Sequence, residues 1–198
     1  MGFSLKEELV RKAAHFSGVA WVIVSYYFTL RHTILILALF FFISLLHAVL
    51  HKYLTRIPVI GSIADFFHSM SRKEEGDAKI YYGAVYFFGT LLVLLYATQS
   101  LAIFRAAALV LIFGDAFSAI FGKAFGKTEL PYNPYKSVEG TLAGFIAAAV
   151  AASFVLPIPL AFFAAFIGTF VESLPWDLND NLTIPLAVGF FLWILIAL

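Results

Sequence analysis

Cysteine is absent from the 198-residue chain, which excludes disulfides, thiolate metal sites and cysteine nucleophiles without fixing a compartment. Charge is scarce as well. Asp, Glu, Lys and Arg make up 13% of the sequence, against about 25% in ordinary soluble domains, and they balance to a formal net charge of +1 that says little about partners. No HExxH or GxSxG motif is present, and no basic-aromatic pattern argues for nucleic acid. A Walker A loop is missing by one residue. It needs four residues between its first glycine and Gly-Lys-Ser/Thr, whereas only Lys123, Ala124 and Phe125 separate Gly122 from Gly126-Lys127-Thr128. The run before it, LAIFRAAALVLIFGDAFSAIF, reads as a membrane helix and not as a buried strand.

What is abundant is apolar: 62% of residues are hydrophobic and the mean hydropathy is +0.94, a composition that belongs in a bilayer. The length allows one domain, 1–198. The expected fold is all-α, a polytopic membrane helical bundle of about seven transmembrane helices. They fall at roughly 13–30, 33–50, 80–98, 101–122, 138–156, 159–173 and 182–198, the sixth being short. Lys6, Glu7, Glu8, Arg11 and Lys12 precede the first apolar run, which leads on into further spans, so it reads as a retained helix and not a cleaved signal peptide. In the long connection after the second span, Ile57, Ile60, Ile63, Phe67 and Met70 recur at helical spacing, as in an interfacial amphipathic helix. The series Gly114, Ser118, Gly122 and the run FIAAAVAASFV form small-residue faces that let helices approach closely.

With the amino terminus inside, all of the 13 Lys and Arg residues except Arg31 and Arg105 fall on the cytoplasmic side. The 12 acidic residues lie at or near that side too. The expectation is an integral, multi-pass membrane protein whose amino terminus and chemistry are cytosolic.

Four clusters meet there. In ELVRKAAHF, Arg11 and His15 are one helical turn apart with Lys12 on the flank; these residues either anchor a helix end by snorkelling or serve a site. SRKEEGDAK carries Arg72 and Glu75, which alone read as a solvated charge run. Asp115 lies eight residues before Lys123, about 12 Å along a helix. A carboxylate at that depth costs about 2.5 to 3.5 kcal/mol, so it should face a polar cavity and a cation. LPYNPYKSVEG then bends through two prolines and starts a helix with Ser137 as N-cap and Glu139 in the first turn; the same helix end, beside Lys136, is a natural phosphate receptor. In the fourth cluster, Glu172, Asp177, Asp180 and Asn181 are oxygen ligands of the kind that suit magnesium, or else a polar turn capping the last helix. Carboxylates for a metal, cations for phosphates and a bilayer alongside describe a place where a nucleotide meets a lipid head group. Phosphoryl transfer there requires mainly positioning, charge neutralisation and a base.

The segments RKAAH, SRKEE with YYGAVYFFG, GDAFSAIFGKAFGK, LPYNPYKSVEGT and ESLPWDLNDNLTIP, in this order and over nearly the whole chain, resemble the integral-membrane CTP-dependent lipid kinases. That group contains dolichol kinase, phytol kinase and the CTP-using diacylglycerol kinase, and is related to phosphatidate cytidylyltransferases. LPYN…KS looks most like the phytol kinase branch and KSVEGT the dolichol kinase branch. The resemblance implies transfer of the γ-phosphate of CTP to a lipid alcohol, assisted by Mg2+ or another divalent cation, with no nucleic acid involved. It implies catalytic roles for Asp115, Glu172 and Lys136, and metal ligation by Asp115, Glu172, Asp180 and Asn181, without dividing base from ligand between the first two. It implies nucleotide or phosphate binding by Arg11, Lys12, His15, Arg72, Gly114, Lys123, Gly126, Lys136, Ser137 and Glu139, with Glu75 supporting Arg72. A CTP-dependent diacylglycerol kinase and a cytidylyltransferase making a CDP-lipid are the near alternatives. A transporter using Asp115 and His15 as a relay is a different class, disfavoured by the crowding of charge on one face.

Overall fold

The computed structural model describes residues 5–54 and 82–197. The expected interfacial helix, and the Arg72 and Glu75 pair, lie outside the described residues. Among these there are eight helices and one small hairpin: α1 (Leu5–Phe16), α2 (Val19–Val24), α3 (Leu30–Leu54), α4 (Gly83–Thr98), α5 (Leu101–Phe125), β1 (Glu129–Leu130), β2 (Asn133–Ser137), α6 (Val138–Ser153), α7 (Ile158–Ser173) and α8 (Asp180–Ala197). The all-α expectation holds apart from that hairpin, whose antiparallel pair sets Glu129 against Ser137 and Leu130 against Asn133.

Local rules place the helix ends. Ser100 caps α5 by accepting from the Ile103 amide at 3.3 Å, and Ser137 caps α6 by accepting from the Gly140 amide at 3.1 Å. Gln99 closes α4 with a left-handed turn at φ 53°, its amide bonded to the Leu95 carbonyl. Pro159 sits in the first turn of α7, where its missing N–H costs nothing.

Helix α5 is the hub, packed against α1, α2, α4, α6, α7 and α8, whereas α3 leans on α4. Its closest neighbour is α6. A Cβ on Gly140 would lie 2.7 Å from the Ser118 carbonyl oxygen, and one on Gly144 would lie 2.7 Å from that of Gly114. Only glycine lets the two backbones come so near, as the small-residue faces led us to expect.

Two helical stretches, Leu30–Leu50 and Leu101–Phe125, are long and apolar enough to cross a membrane. Helices α4, α6 and α7, of 16 residues each, span about 24 Å at 1.5 Å per residue, short of a ~30 Å hydrocarbon core. The count of seven full spans is therefore not reproduced. The first expected span, 13–30, is divided: α1 stops at Phe16, and α2 is six residues long. Its turn is closed by the Gly18 amide on the His15 carbonyl at 3.0 Å. Gly18 is pressed so tightly that a Cβ would lie 2.9 Å from Ile112 Cδ1 and 3.1 Å from Phe87 Cζ. Arg105 then fixes the end of α2, donating to the Ser25 hydroxyl and carbonyl at 2.8 and 2.7 Å and lying 3.7 Å over the Tyr26 ring. Outward faces are strongly apolar: on α3, Leu35, Leu39, Phe42, Leu46 and Val49 form an exposed stripe at helical spacing. Such a surface marks contact with lipid or a partner.

Candidate active site

Asp115 sits in the middle of α5, 5% exposed, and its charge is answered from α1. Lys12, 1% exposed, donates to Asp115 Oδ2 at 2.5 Å. His15 Nε2 lies 3.5 Å from the same oxygen and, buried, makes no hydrogen bond of its own. One turn earlier, Glu8 accepts from Arg11 with one oxygen and from Lys123 Nζ with the other at 2.8 Å. Two sets of ionic contacts thus clasp α1 onto α5. Burial pushes the Glu8 carboxyl up, but the Lys123 hydrogen bond and the charge of Arg11 outweigh it and hold the group below its ordinary value.

The second half of the site comes from the hairpin and α7. Asn133 Nδ2 donates to the Ser173 carbonyl at 2.9 Å, and the Tyr132 and Ser173 hydroxyls meet at 2.9 Å. This tethers β2 over the end of α7 and brings Lys136 Nζ to Glu172 Oε1 at 2.5 Å. Burial lowers the Lys136 ammonium, yet the charges of Glu172, Asp180 and Asp115 prevail and keep it protonated above its ordinary value. Glu172 also acts on Lys12, and Asp115 and Asp180 on Arg11. The two halves are therefore one electrostatic cluster. Arg11, Lys12, His15, Asp115, Lys123, Lys136, Glu172 and Asp180 all belong to it.

Other residues singled out in the sequence have different surroundings. Glu139 accepts from the Lys127 and Thr128 amides at 3.2 Å and from the Thr128 hydroxyl at 3.0 Å, so those loop amides already have an anionic partner. Ser137 is engaged in capping α6. A Cβ on Gly126 would lie 2.6 Å from Ser137 Oγ, and Gly114 faces Ala148 and Gly144 across the helix seam. Asn181 donates its side-chain amide to the Gly83 carbonyl at 3.0 Å, joining the start of α8 to that of α4. Among the described residues no group of three or more His, Asp or Glu side chains forms a cage for a metal. Asp115 and Glu172 offer hard oxygen donors of the kind magnesium takes, an ion usually held by one or two carboxylates together with substrate phosphates, but each is paired with a lysine that a metal ion would have to displace. Sequence reasoning gave Glu8 no part in the site. Its spacing of three from Arg11, with opposite charge, was the available signal.

The chain belongs to the cytidylyltransferase family, whose model matches residues 4–197. The ordered motifs pointed to the CTP-dependent lipid kinases and, as their relatives, to cytidylyltransferases, and the match agrees with that resemblance. Among curated relatives, it is 32% identical over 98 residues to probable phytol kinase 1, chloroplastic, of Glycine max, covering 39% of this chain and 32% of the relative. It is 33% identical over 96 residues to phytol kinase 1, chloroplastic, of Arabidopsis thaliana, covering 37% of this chain and 30% of the relative. The matches thus span about a third of the length of these relatives. No solved structure matches the chain.

Proposed function

We propose that this protein is a multi-pass membrane kinase that transfers the γ-phosphate of CTP to an isoprenoid alcohol at the cytosolic face, giving the lipid monophosphate and CDP. The observation carrying this reading is the convergence of Lys12, Asp115 and His15 with Lys136, Glu172 and Asp180 in one charged cluster within a largely apolar chain. Likeness to two proteins named as phytol kinases supports an alcohol of the phytol or polyprenol type. The basic residues gathered toward one side support the orientation.

In this scheme Lys136, Lys123 and Arg11 bind the phosphates. Each now rests on a carboxylate, so a triphosphate is received by exchange of one anionic partner for another and no bare cation is left buried. One of Asp115 and Glu172 would hold a magnesium ion, which when bound supplies charge to neutralise the triphosphate, and the other would serve as base. The alcohol oxygen attacks the γ-phosphorus, the bond from that phosphorus to the β–γ bridging oxygen breaks, CDP leaves, and the hydroxyl proton passes to the Asp115 or Glu172 carboxylate not engaged in metal binding. Arg72 and Glu75 are assigned a supporting role on the nucleotide.

The test is to supply purified protein with labelled CTP, magnesium and a prenyl alcohol. CDP with prenyl phosphate is the expected outcome. Pyrophosphate with a CDP-lipid would make the protein a cytidylyltransferase in activity as well as in family, and phosphorylation of diacylglycerol alone would move the substrate to glycerolipid. Intact CTP together with solute flux in liposomes would replace the kinase by a transporter.

A further inference from the structure

Between α2, α5 and α6 lies a cavity of about 450 Å³, open along one side and apolar along its length, with Val22, Phe113, Phe117, Ala147, Ala151 and Phe154 among its walls. Among the described residues no side chain fills it, and none of its walls belongs to the charged cluster. At about 30 Å³ for a water-sized group, it has room for roughly 15 methylene-sized groups, or about three isoprene units of a single chain. Tyr26 lies in its lining, the ring held under the Arg105 guanidinium at 3.7 Å.

The cavity adjoins the charged cluster by way of Phe16, which touches two of its wall rings. Phe16 stands edge-on to Phe113 and Phe117, ring centroids 5.2 and 6.3 Å away. The residue next to it in the chain is His15, 3.5 Å from Asp115. From the cavity the α5 ring series continues past Phe117 to Phe121 and Phe125 at 5.8 and 5.5 Å, emerging at the end of α5 that carries Lys123. A ligand fitted to this arrangement is apolar over the whole groove and polar at one terminus.

Resting on the reading above, we propose that this groove is the binding site for the prenyl chain of the alcohol substrate. The chain lies along Phe113 and Phe117, its hydroxyl passes Phe16 to reach Asp115, and the volume of the groove limits how many isoprene units are gripped. Since the chain arrives from lipid and not from water, the discriminating force is shape and close packing, not water expulsion. Ala147 and Ala151 opposite the rings leave space for methyl branches that a straight acyl chain lacks.

A photoactivatable diazirine analogue of geranylgeraniol, cross-linked to the full chain in phosphatidylcholine vesicles and mapped by mass spectrometry, tests this without reference to turnover. Labelling of the α5 and α6 groove walls, displaced by geranylgeraniol and not by equal oleyl alcohol, is expected. Equal displacement by oleyl alcohol, or labelling confined to other faces, overturns the proposal. Val150→Trp, at an exposed groove position where a larger ring is not forced into the core, should raise KM for geranylgeraniol about tenfold while leaving kcat, and KM for the two-isoprene alcohol geraniol, unchanged. Equal loss for both alcohols counts against the groove. Prenol-specific labelling in a protein that forms no CDP with any alcohol would uphold the groove and refute the kinase.

Discussion

Replacing Lys12 by Met leaves Asp115 buried without its nearest cation, and replacing Asp115 by Leu does the converse. Breaking one side of a buried pair costs about 3 to 5 kcal/mol, mostly because the survivor's charge is left uncompensated. The structure ranks the two. After Lys12→Met, the carboxylate still has His15 at 3.5 Å and the charge of Arg11 nearby, which puts the loss near the lower bound, about 3 kcal/mol. After Asp115→Leu, Lys12 keeps Glu172 as a weaker attraction and is repelled by Arg11, so the loss approaches about 5 kcal/mol. In a chain of this size 1 kcal/mol moves the midpoint by roughly 2–4 °C, giving drops of about 6–12 °C and about 10–20 °C. The double variant Lys12→Met with Asp115→Leu removes both charges and should melt within a few degrees of the parent, although it should release no CDP. Intrinsic tryptophan fluorescence during heating in detergent measures all three. Equal drops for the two single variants, or a double variant as unstable as their sum, would refute the account of the pair.

Glu8, held below its ordinary value of 4.5, contributes stability that is complete above that pH and is lost as the pH falls through the depressed folded value. The melting temperature of Glu8→Gln should therefore start lower than the parent's at neutral pH and converge with it in acid; parallel curves from pH 7 to 3 would show that the clasp on Arg11 and Lys123 carries no proton linkage. Gly140→Ala should cost roughly 1–3 kcal/mol by overpacking, because its Cβ would lie 2.7 Å from the Ser118 carbonyl and 2.8 Å from Gly122 Cα. Gly114→Ala should be mild by the same thermal assay, its nearest neighbour being Ala148 Cβ at an ordinary 3.6 Å.

Features governed by neighbours along the chain were legible in the sequence. The Ser137 cap follows from a residue and the amide three positions on, and the seam between α5 and α6 from the spacing of Gly114, Ser118 and Gly122. The need of Asp115 for a cation also follows from its depth, although which cation answers it does not. Lys12 is 103 positions away and meets it only because α1 crosses α5 at that point. The break at Gly18 was hidden for the same reason, since it depends on Ile112 and Phe87, which composition cannot locate. Glu8 was passed over as one charge of a basic-acidic tail, and its bond to Lys123 spans 115 positions. Glu139 looked sufficiently explained by the helix dipole, whereas it reaches across to the 127–128 amides.

Where Gly140 and Gly144 set α6 directly on α5, only short side chains such as Ser118 and Ala148 are left in the joint, and the pair forms one stiff beam carrying Asp115. The fastening of α1 is of the opposite kind, long flexible Lys and Arg arms gripping short acids. Opening of the charged cluster would therefore draw on the ionic arms of α1 sooner than on the joint between α5 and α6.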